Sequence, residues 1–240
     1  MKVYNSSDIQ IGNYMYLIYG DAGSGKTSTA RYLKGRKLLI SLDQSQEPAK
    51  DWKDTVIAEP EEADLINPYE NITAFFDLVE NKFLAKVDVV IIDNISQLER
   101  LVLTELISKY KDNRQAYQAM QEYFRSLATK FRFWHKPIYV TAWEMSFQQS
   151  DSLGAQVTQY TVDMNAKART AFTGLFDLVG RISADHDGKR VIHLQPTDQL
   201  FAKNRIDSRK KCLPEHLFDG QEQEYEEEIN LEEEDKNNAI

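Results

Sequence analysis

Residues 20–28 read Gly20-Asp21-Ala22-Gly23-Ser24-Gly25-Lys26-Thr27-Ser28, and this stretch predicts the architecture of the 240-residue chain. It matches the pattern Gly-x-x-x-x-Gly-Lys-[Ser/Thr] at every fixed position, and that pattern indicates a phosphate-binding loop. The glycines let the main chain curl so that successive N–H groups point at phosphate oxygens. Lys26 is expected to reach the β- and γ-phosphates of ATP, and the Thr27 hydroxyl is expected to bind Mg²⁺.

The segments around this loop alternate between apolar runs and helical spacing. The runs that read as buried strands cover residues 14–19, 37–42, 55–58, 87–92 and 138–142, and helical spacing covers 26–34, 69–84, 95–110 and 115–134. Continuous apolar strands separated by helices are typical of a parallel sheet. Two further runs, 175–182 and 190–195, flank the turn at 185–188 and predict an antiparallel hairpin. We therefore predict an α/β P-loop NTPase with a mainly parallel central sheet and a C-terminal antiparallel hairpin.

A second acid follows the apolar strand that ends at Ile92. In P-loop NTPases such an acid lies beside the Mg²⁺-binding hydroxyl, so Asp93 is expected to share the ion with Thr27. The alternative is that Asp93 only caps the helix that starts near Ile95.

The charge of the chain is distributed unevenly. The net charge is −9, from 38 acidic and 29 basic residues, and residues 219–240 hold ten of the acids and one lysine. Residues 1–218 carry 28 acidic and 28 basic side chains, so the part expected to fold is neutral overall. We predict an N-terminal extension over 1–13, one ATPase domain over 14–218, and an acidic, disordered tail over 219–240. No apolar run is long enough for a membrane helix, and the single cysteine, Cys212, fits a reducing cytoplasm and a packing role.

Three downstream segments extend the pattern: Thr141-Ala-Trp-Glu144, Phe176-Asp-Leu-Val-Gly-Arg-Ile182 and Phe201-Ala-Lys-Asn-Arg-Ile206. With them, the chain resembles, over about residues 12–215, the RecA-like, AAA-type ATPases of bacteriophage recombination modules, a group proposed to act in single-strand annealing. The resemblance implies a RecA-type core in which the Asp93 strand is not adjacent to the strand before the loop. It also implies a DNA-stimulated, Mg²⁺-dependent ATPase in the cytoplasm of an infected bacterial cell.

The same resemblance implies partners. They are single-stranded DNA, a single-strand binding protein and further copies of the chain in a homo-oligomer. Ala202-Lys-Asn-Arg205 is similar to the Lys-Asn-Arg core of a motif in bacterial RadA, so Lys203 and Arg205 are expected to touch nucleotide in a neighbouring subunit or to couple it to DNA. The chain departs from RadA after Arg205, where Ile206-Asp207 replaces an aromatic residue and a glycine.

The residue that activates water is not given by any motif. RecA proteins use a glutamate past the strand that follows the first helix, and Ser45 fills that position here. Three acids remain as candidates, in the order Asp43, Glu144 and Glu47. The alternative is that Asp43 caps a turn and hydrolysis is slow, as a nucleotide switch would tolerate.

Thr141 ends a strand, where a polar side chain either senses the γ-phosphate or is a plain strand-end threonine. The neighbouring Trp143 reads as a packing residue or a base-stacking surface. The segment 145–162 lacks periodicity and reads as a functional or mobile loop.

Candidates for DNA contact combine aromatic rings with nearby basic residues. They are Phe147, Tyr160, Lys167, Arg169, Arg209, Lys210 and Lys211. The alternative is a solvated loop and a surface charge run. The acidic tail is either a competitor of DNA for a basic face or a solubilising segment.

Two other functions stay open. A small-molecule kinase, such as a nucleoside kinase, needs an arginine-rich lid, and 145–162 holds no arginine. A nucleotide-gated interaction protein would bind ATP without turnover, in keeping with Ser45 at the glutamate position.

Overall fold

A computed structural model describes residues 1, 3, 5, 12–150, 154–184 and 187–219. Most of the predicted N-terminal extension, and the predicted acidic tail from residue 220 onward, lie outside the described residues. The strands are β1 Met15–Gly20, β2 Lys37–Ser41, β3 Thr55–Ala58, β4 Val89–Asp93, β5 Ile138–Ser150, β6 Gln156–Val162, β7 Leu178–Ala184, β8 Arg190–His193, β9 Lys203–Asn204 and β10 Lys211–Cys212. The α-helices are α1 Lys26–Thr29, α2 Pro68–Leu78, α3 Ile95–Lys109, α4 Asn113–Phe133 and α5 Ala166–Thr173.

The strands form one mixed sheet in the order β10-β8-β7-β1-β5-β4-β2-β3, with β6 paired to β5 and β9 to β7. The strands from β7 to β3 in this order run parallel. β8 pairs antiparallel with β7. The prediction of a mainly parallel sheet with a C-terminal antiparallel hairpin is therefore confirmed. β5 lies between β1 and β4, so the strand of Asp93 is not adjacent to β1, in agreement with the RecA-type order.

Two apolar layers enclose the sheet. One face packs against α2 to α5, with Phe76, Phe124, Phe131 and Phe172 fully buried in that layer. The other face is covered by α1, short 3₁₀ turns and the C-terminal segment 213–218. β1, β2 and β4 are buried along their whole length, which explains why they read as unbroken apolar runs.

The helix after the phosphate-binding loop is shorter than its periodicity predicts. The α-helical part is Lys26–Thr29, and a 3₁₀ turn continues it over Ala30–Tyr32. Leu33 then takes an extended conformation with ψ 134°, because the chain must turn back to reach the start of β2. An α-helix of one turn aligns few peptide dipoles, so the loop's own N–H groups and Lys26 are the main positive groups toward a phosphate.

Most of the segment 145–162, which was expected to be a loop, is strand. β5 continues past the edge of the sheet to Ser150 and pairs antiparallel with β6, from Glu144 opposite Val162 to Ser150 opposite Gln156. In the outer part of this pair, the described residues 146–150 and 154–156 are all exposed or half-buried. Since no described residue of this outer part is buried, the apolar–polar alternation of a half-buried strand is missing from its sequence. We call residues 143–150 and 154–162 the β5–β6 ribbon.

Three smaller elements were not predicted. α5 begins after Asn165, whose side chain accepts a hydrogen bond from the Lys167 amide, and the short strands β9 and β10 bind β7 and β8. The strand predicted from residue 175 begins at Leu178. Cys212 is buried in β10, as its packing role requires. None of the helices in the described part of the chain combines the length and apolar composition that a membrane span needs.

Candidate functional site

The phosphate-binding loop follows β1 at the carboxyl edge of the sheet. Gly25 has φ +98°, a left-handed conformation that side chains other than that of glycine rarely adopt. A Cβ on Gly20 would lie 2.4 Å from the Ile182 carbonyl oxygen, so Gly20 is needed where β1 passes close to β7. The first and last fixed glycines of the motif thus serve two different geometric needs.

Lys26 lies inside the loop. Its Nζ donates hydrogen bonds to the carbonyl oxygens of Gly20, at 2.8 Å, and Asp21, at 2.7 Å. Burial lowers the pKa of Lys26, and the nearby carboxylates of Asp93 and Asp21 oppose that shift. The Tyr139 hydroxyl donates to the Lys26 carbonyl at 2.7 Å and ties the helix start to β5. The ammonium is thereby held where a phosphate would meet the loop.

Asp93 joins two hydroxyl side chains. Its Oδ2 accepts a 2.6 Å hydrogen bond from Thr27 Oγ1, and its Oδ1 accepts one from Thr141 Oγ1. Burial raises the pKa of Asp93, while the two hydroxyl donors act in the opposite direction. The cap of α3 is Asn94, whose Oδ1 accepts from the Gln97 amide at 2.8 Å. The alternative in which Asp93 serves only as that cap is therefore excluded.

The oxygen atoms at this point fit Mg²⁺. The Thr27 hydroxyl and the Asp93 carboxylate are hard ligands in contact with each other, and Mg²⁺ in nucleotide sites is held by one or two protein oxygens together with phosphates and water. Within the described residues there is no cluster of three or more His, Cys, Asp or Glu side chains that could hold a metal. Two adjacent oxygen ligands suit an ion that arrives with a nucleotide and completes its coordination with phosphates and water.

A cavity of about 370 Å³ lies over the loop. The residues that line it are Ala22, Gly23, Gly25, Lys26, Thr27, Ser28, Asp43, Ser45, Pro48, Asp93, Asn94, Trp143 and Arg190. The cavity is thus lined by the phosphate-binding loop after β1, by Asp93 at the end of β4 and by residues 43–48 after β2. These segments meet because the three strands run parallel and end at the same edge of the sheet.

Of the three acids considered for water activation, Asp43 lies in this cavity. Its Oδ2 accepts a 2.5 Å hydrogen bond from Asn94 Nδ2, and its Oδ1 accepts from the Ser45 amide at 3.2 Å and from the Ser45 hydroxyl. Glu47 is exposed at the start of a 3₁₀ turn and is not among the cavity residues.

Glu144 lines a different cavity beside the phosphate-binding loop, together with Gly20 and Asp21. Both of its carboxylate oxygens accept hydrogen bonds from Arg181, at 2.6 and 2.9 Å, and its side chain is 5% exposed. The Arg181 guanidinium lies 4.0 Å from the centre of the Tyr160 ring. The bidentate ion pair occupies the carboxylate, so Glu144 serves to fix β5 against β7 at the base of the β5–β6 ribbon.

Thr141 and Trp143 also have observed contacts. Thr141 is buried, and its hydroxyl is bound to Asp93, so it orients that carboxylate. Trp143 is half-buried beside the loop, and the Arg100 guanidinium lies 4.3 Å from its ring centre. Neither contact was expected from the sequence, because both depend on how β4, α3 and β5 meet.

Lys203 and Arg205 lie toward the other edge of the sheet. Lys203 pairs with Val179 near the start of β7, and its Nζ donates to the carbonyl oxygens of Thr173, at 3.3 Å, and Gly174, at 2.9 Å. Burial lowers the pKa of Lys203, and the positive Arg205 adds to that shift. The Arg205 side chain is exposed. The structure does not bring either residue to the loop of its own chain.

Two basic residues expected to contact DNA have structural roles instead. The Arg209 guanidinium is buried, pairs with Asp207 Oδ2 at 2.7 Å and donates to the His216 carbonyl at 2.7 Å. Arg169 is half-buried and donates to the Val162 carbonyl at 3.2 Å. Each holds a chain turn together and has little surface left for a polyanion. The sequence could not separate them from exposed basic residues because charge alone does not indicate burial.

The remaining DNA candidates are accessible to different degrees. Lys167 and Lys210 are exposed, Phe147 lies exposed on the β5–β6 ribbon, and Lys211 and Tyr160 are half-buried. Phe147 and Lys167 belong to the ribbon and the helix after it, whereas Lys210 lies directly before β10. The structure thus divides this group into two separate places.

Arg190 was missed by the sequence analysis. It begins β8, and its Nη2 donates to the Gly23 carbonyl oxygen at 3.3 Å. β7 runs parallel to β1, so β7 ends, and β8 begins, at the same edge of the sheet as the phosphate-binding loop. The predicted hairpin could therefore have indicated that Arg190, at the start of its second strand, lies near the loop.

The family comparison agrees with this geometry. Residues 12–206 match the protein family described as AAA domain. A search of the curated proteins finds no match to the chain. The matched span includes β1, the loop, Asp93 and the β5–β6 ribbon, and it covers more than half of the chain. The chain therefore belongs to the AAA domain family of P-loop ATPases.

Proposed function

We propose that this protein binds and hydrolyses ATP with Mg²⁺ and acts on single-stranded DNA as a phage recombination protein of the annealing or recombinase type. The observation that carries the proposal is the contact between Thr27 Oγ1 and Asp93 Oδ2 at 2.6 Å, next to a buried Lys26 and within one cavity. A triphosphate in that cavity would meet the loop N–H groups and the Lys26 ammonium, while Thr27 and Asp93 would hold the Mg²⁺. Bound Mg²⁺ would neutralise charge on the phosphate oxygens.

Asp43 is the group proposed to orient the attacking water. It lies in the cavity with Asp93, and its position is fixed by Asn94 and Ser45. Both carboxylate oxygens of Asp43 already accept hydrogen bonds from Asn94 and Ser45, so few acceptor positions remain for a water molecule. The expected activity is therefore slow turnover, suited to a nucleotide switch.

The β5–β6 ribbon is the proposed DNA-binding surface. It contains the outer part of β5, and Thr141 farther back on the same strand binds Asp93, so a change at the nucleotide can reach it through β5. It offers Phe147 for stacking and a series of polar side chains for phosphate contacts, and Lys167 lies just beyond it. A single-strand binding protein is proposed as a partner on the same substrate, in the cytoplasm of an infected bacterial cell.

A homo-oligomer is part of the proposal. The loop lies at the carboxyl edge of the sheet, and Lys203 and Arg205 lie toward the opposite edge. Head-to-tail packing of two copies would place the exposed Arg205 of one copy near the nucleotide of the next, and such heterologous contacts build rings or filaments. This arrangement supports the trans role that the resemblance to RadA suggests.

The experiment is phosphate release from ATP, measured with and without single-stranded DNA and beside assays with nucleoside acceptors. We expect Mg²⁺-dependent release that DNA stimulates and that Lys26→Ala abolishes together with ATP binding. Phosphate transfer only to nucleosides would contradict the proposal in favour of a kinase. Tight ATP binding without release in either condition would instead support a nucleotide-gated interaction protein, which the occupied hydrogen-bonding positions of Asp43 favour.

A further inference from the structure

Arg190 lies against the outside of the phosphate-binding loop. If Gly25 carried a Cβ, that atom would be 2.9 Å from Arg190 Cδ and 3.1 Å from Cζ. The guanidinium therefore rests on the main chain of the residue before Lys26. The loop N–H groups around this residue are those that cradle the α- and β-phosphates in the motif. An arginine at this point is within reach of the same oxygens.

A second cavity, of about 290 Å³, opens on the far side of Arg190. Gly25, Ser28 and Arg190 line both this cavity and the one over the loop. Its other walls include Tyr32, which is exposed, and Pro214. Each cavity is near the lower end of the size range of small-ligand sites. The shared residues make them two halves of one elongated site.

The bonding of Arg190 leaves it able to take a ligand. Its side chain is exposed, and the bond from Nη2 to the Gly23 carbonyl is long, at 3.3 Å. A guanidinium offers five N–H donors in a planar fork that matches phosphate oxygens. A charge-assisted bond to phosphate is stronger than a neutral bond to a carbonyl, so a bound nucleotide would compete well for this side chain.

We propose that Arg190 is a nucleotide-binding residue that acts within its own chain. It binds the phosphates at the junction between the two cavities, and the second cavity takes the nucleoside. This inference rests on the proposed function, because it assigns the two halves of one nucleotide to the two cavities. Arg190 lies on β8, which β7 separates from β1, and it would bind the nucleotide of its own chain. This role is independent of the proposed role of Arg205 at the nucleotide of a neighbouring copy.

The test is calorimetric binding of ATP, ADP and inorganic tripolyphosphate to the wild type and to Arg190→Ala, Arg190→Lys and Tyr32→Ala. Arg190→Ala is expected to weaken all three ligands by about tenfold or more, since each presents phosphates at the junction. Arg190→Lys should lie between, because it keeps the charge and loses the fork. Tyr32→Ala should weaken ATP and ADP and leave tripolyphosphate within about twofold, since that ligand has no nucleoside.

The matched control is Arg114→Ala, which removes the same charge from an exposed position on α4 and should leave all affinities within about twofold. Affinities of Arg190→Ala that equal those of the wild type would overturn the inference, as would a loss for ATP with ADP unchanged. An equal loss of all three ligands in Tyr32→Ala would overturn the nucleoside assignment. If the wild type does not bind ATP, the proposed function itself is contradicted. If Lys26→Ala weakens ATP binding and Arg190→Ala does not, only the role of Arg190 is contradicted.

Discussion

Thr27 Oγ1 and Asp93 Oδ2 are joined by a 2.6 Å hydrogen bond although 66 positions separate the two residues in sequence. The bond links the end of the phosphate-binding loop to the end of β4, across the edge of β5. Thr141, on β5, binds the other oxygen of the same carboxylate. One buried acid is thereby fixed by a hydroxyl on each side, and the proposed Mg²⁺ site depends on this fixed orientation.

Replacement of Asp93 by Asn should separate nucleotide binding from catalysis. The amide keeps the volume of the side chain but loses its charge, so Mg²⁺ should no longer strengthen ATP binding. We expect hydrolysis to fall by a factor on the order of 100 or more, because a bound metal stabilises the transition state by several kcal/mol. The measurements are ATP affinity with Mg²⁺ and with EDTA, and phosphate release.

Asp88→Asn is the matched control for that change. Asp88 precedes the same strand, is half-buried at the surface and pairs with Arg36 at 2.9 Å. It should leave the Mg²⁺ dependence and the hydrolysis rate within about twofold of wild type. If Asp93→Asn keeps a Mg²⁺-dependent affinity for ATP, the assignment of Asp93 as the metal-binding acid is contradicted.

The position of Asp43 predicts that Asp43→Asn lowers the rate of hydrolysis with little effect on ATP affinity. A positioned acid–base group contributes about 10² to 10⁴ to a rate, and the Asn side chain keeps the size and one acceptor oxygen for Asn94. The measurement is single-turnover hydrolysis with saturating enzyme. An unchanged single-turnover rate would show that another group orients the water.

The comparison variant is Glu144→Gln. Because Arg181 occupies both oxygens of Glu144, we expect this change to lower the free energy of unfolding by about 1–3 kcal/mol and to leave the hydrolysis rate of the folded protein near that of wild type. The reverse result, a stable protein that has lost hydrolysis, would restore Glu144 as the base.

Much of the fold could be predicted from the sequence because β1, β2 and β4 are buried on both faces and read as unbroken apolar runs. The loop motif then gave Lys26 and Thr27, and the acid after β4 gave Asp93. These are local signals. They needed no knowledge of how distant segments meet.

What could not be predicted depends on long-range contacts. The outer part of the β5–β6 ribbon has no buried residue among those described and therefore no apolar–polar alternation. Arg190 reaches the loop only because β8 extends the β7 hairpin beside β1. Arg209 reads as one of a run of surface charges, but in the structure its side chain is buried and paired with Asp207. In each case the sequence gives the residue type, and the burial is decided by another part of the chain.

Arg209 and Lys210 are adjacent in sequence, and their variants should behave in opposite ways. Arg209→Met would leave Asp207 as a buried charge without its cation, so the free energy of unfolding should fall by about 3 kcal/mol. The affinity of the folded protein for single-stranded DNA should not change. The measurements are urea unfolding and DNA binding at a temperature where the variant is folded.

Lys210→Ala should change stability by less than about 0.5 kcal/mol, since the side chain is exposed. If Lys210 contacts phosphate, the slope of log affinity against log salt should decrease in magnitude by about 0.7. A salt slope equal to that of wild type would show that Lys210, which lies away from the β5–β6 ribbon, does not contact DNA. A loss of DNA affinity in folded Arg209→Met would contradict the structural role of Arg209.

Glu99 makes stability depend on pH. It lies on α3, and its two carboxylate oxygens accept from the Asn165 amide at 3.0 and 2.9 Å. Burial raises the pKa of Glu99 to about 7, and the negative Asp163 adds to the shift, while the Asn165 amide and the positive Arg100 and Arg169 oppose it. The folded state therefore favours the protonated acid more than the unfolded state does.

The sign follows from proton binding. Between the ordinary pKa of glutamate and about 7, the folded protein holds a proton at Glu99 that the unfolded chain has released, so stability falls as pH rises through this range. With about 1.36 kcal/mol for each pKa unit, Glu99 should cost about 2–3 kcal/mol more at pH 8 than at pH 5. Glu99→Gln lacks this titration and keeps an acceptor for the Asn165 amide. Urea unfolding of wild type and Glu99→Gln at the two pH values should show that difference in the free energy of unfolding. The control is Glu122→Gln, at an exposed glutamate on α4, whose stability should change with pH as that of wild type does. Parallel stability curves for wild type and Glu99→Gln would mean that Glu99 titrates like an exposed carboxyl.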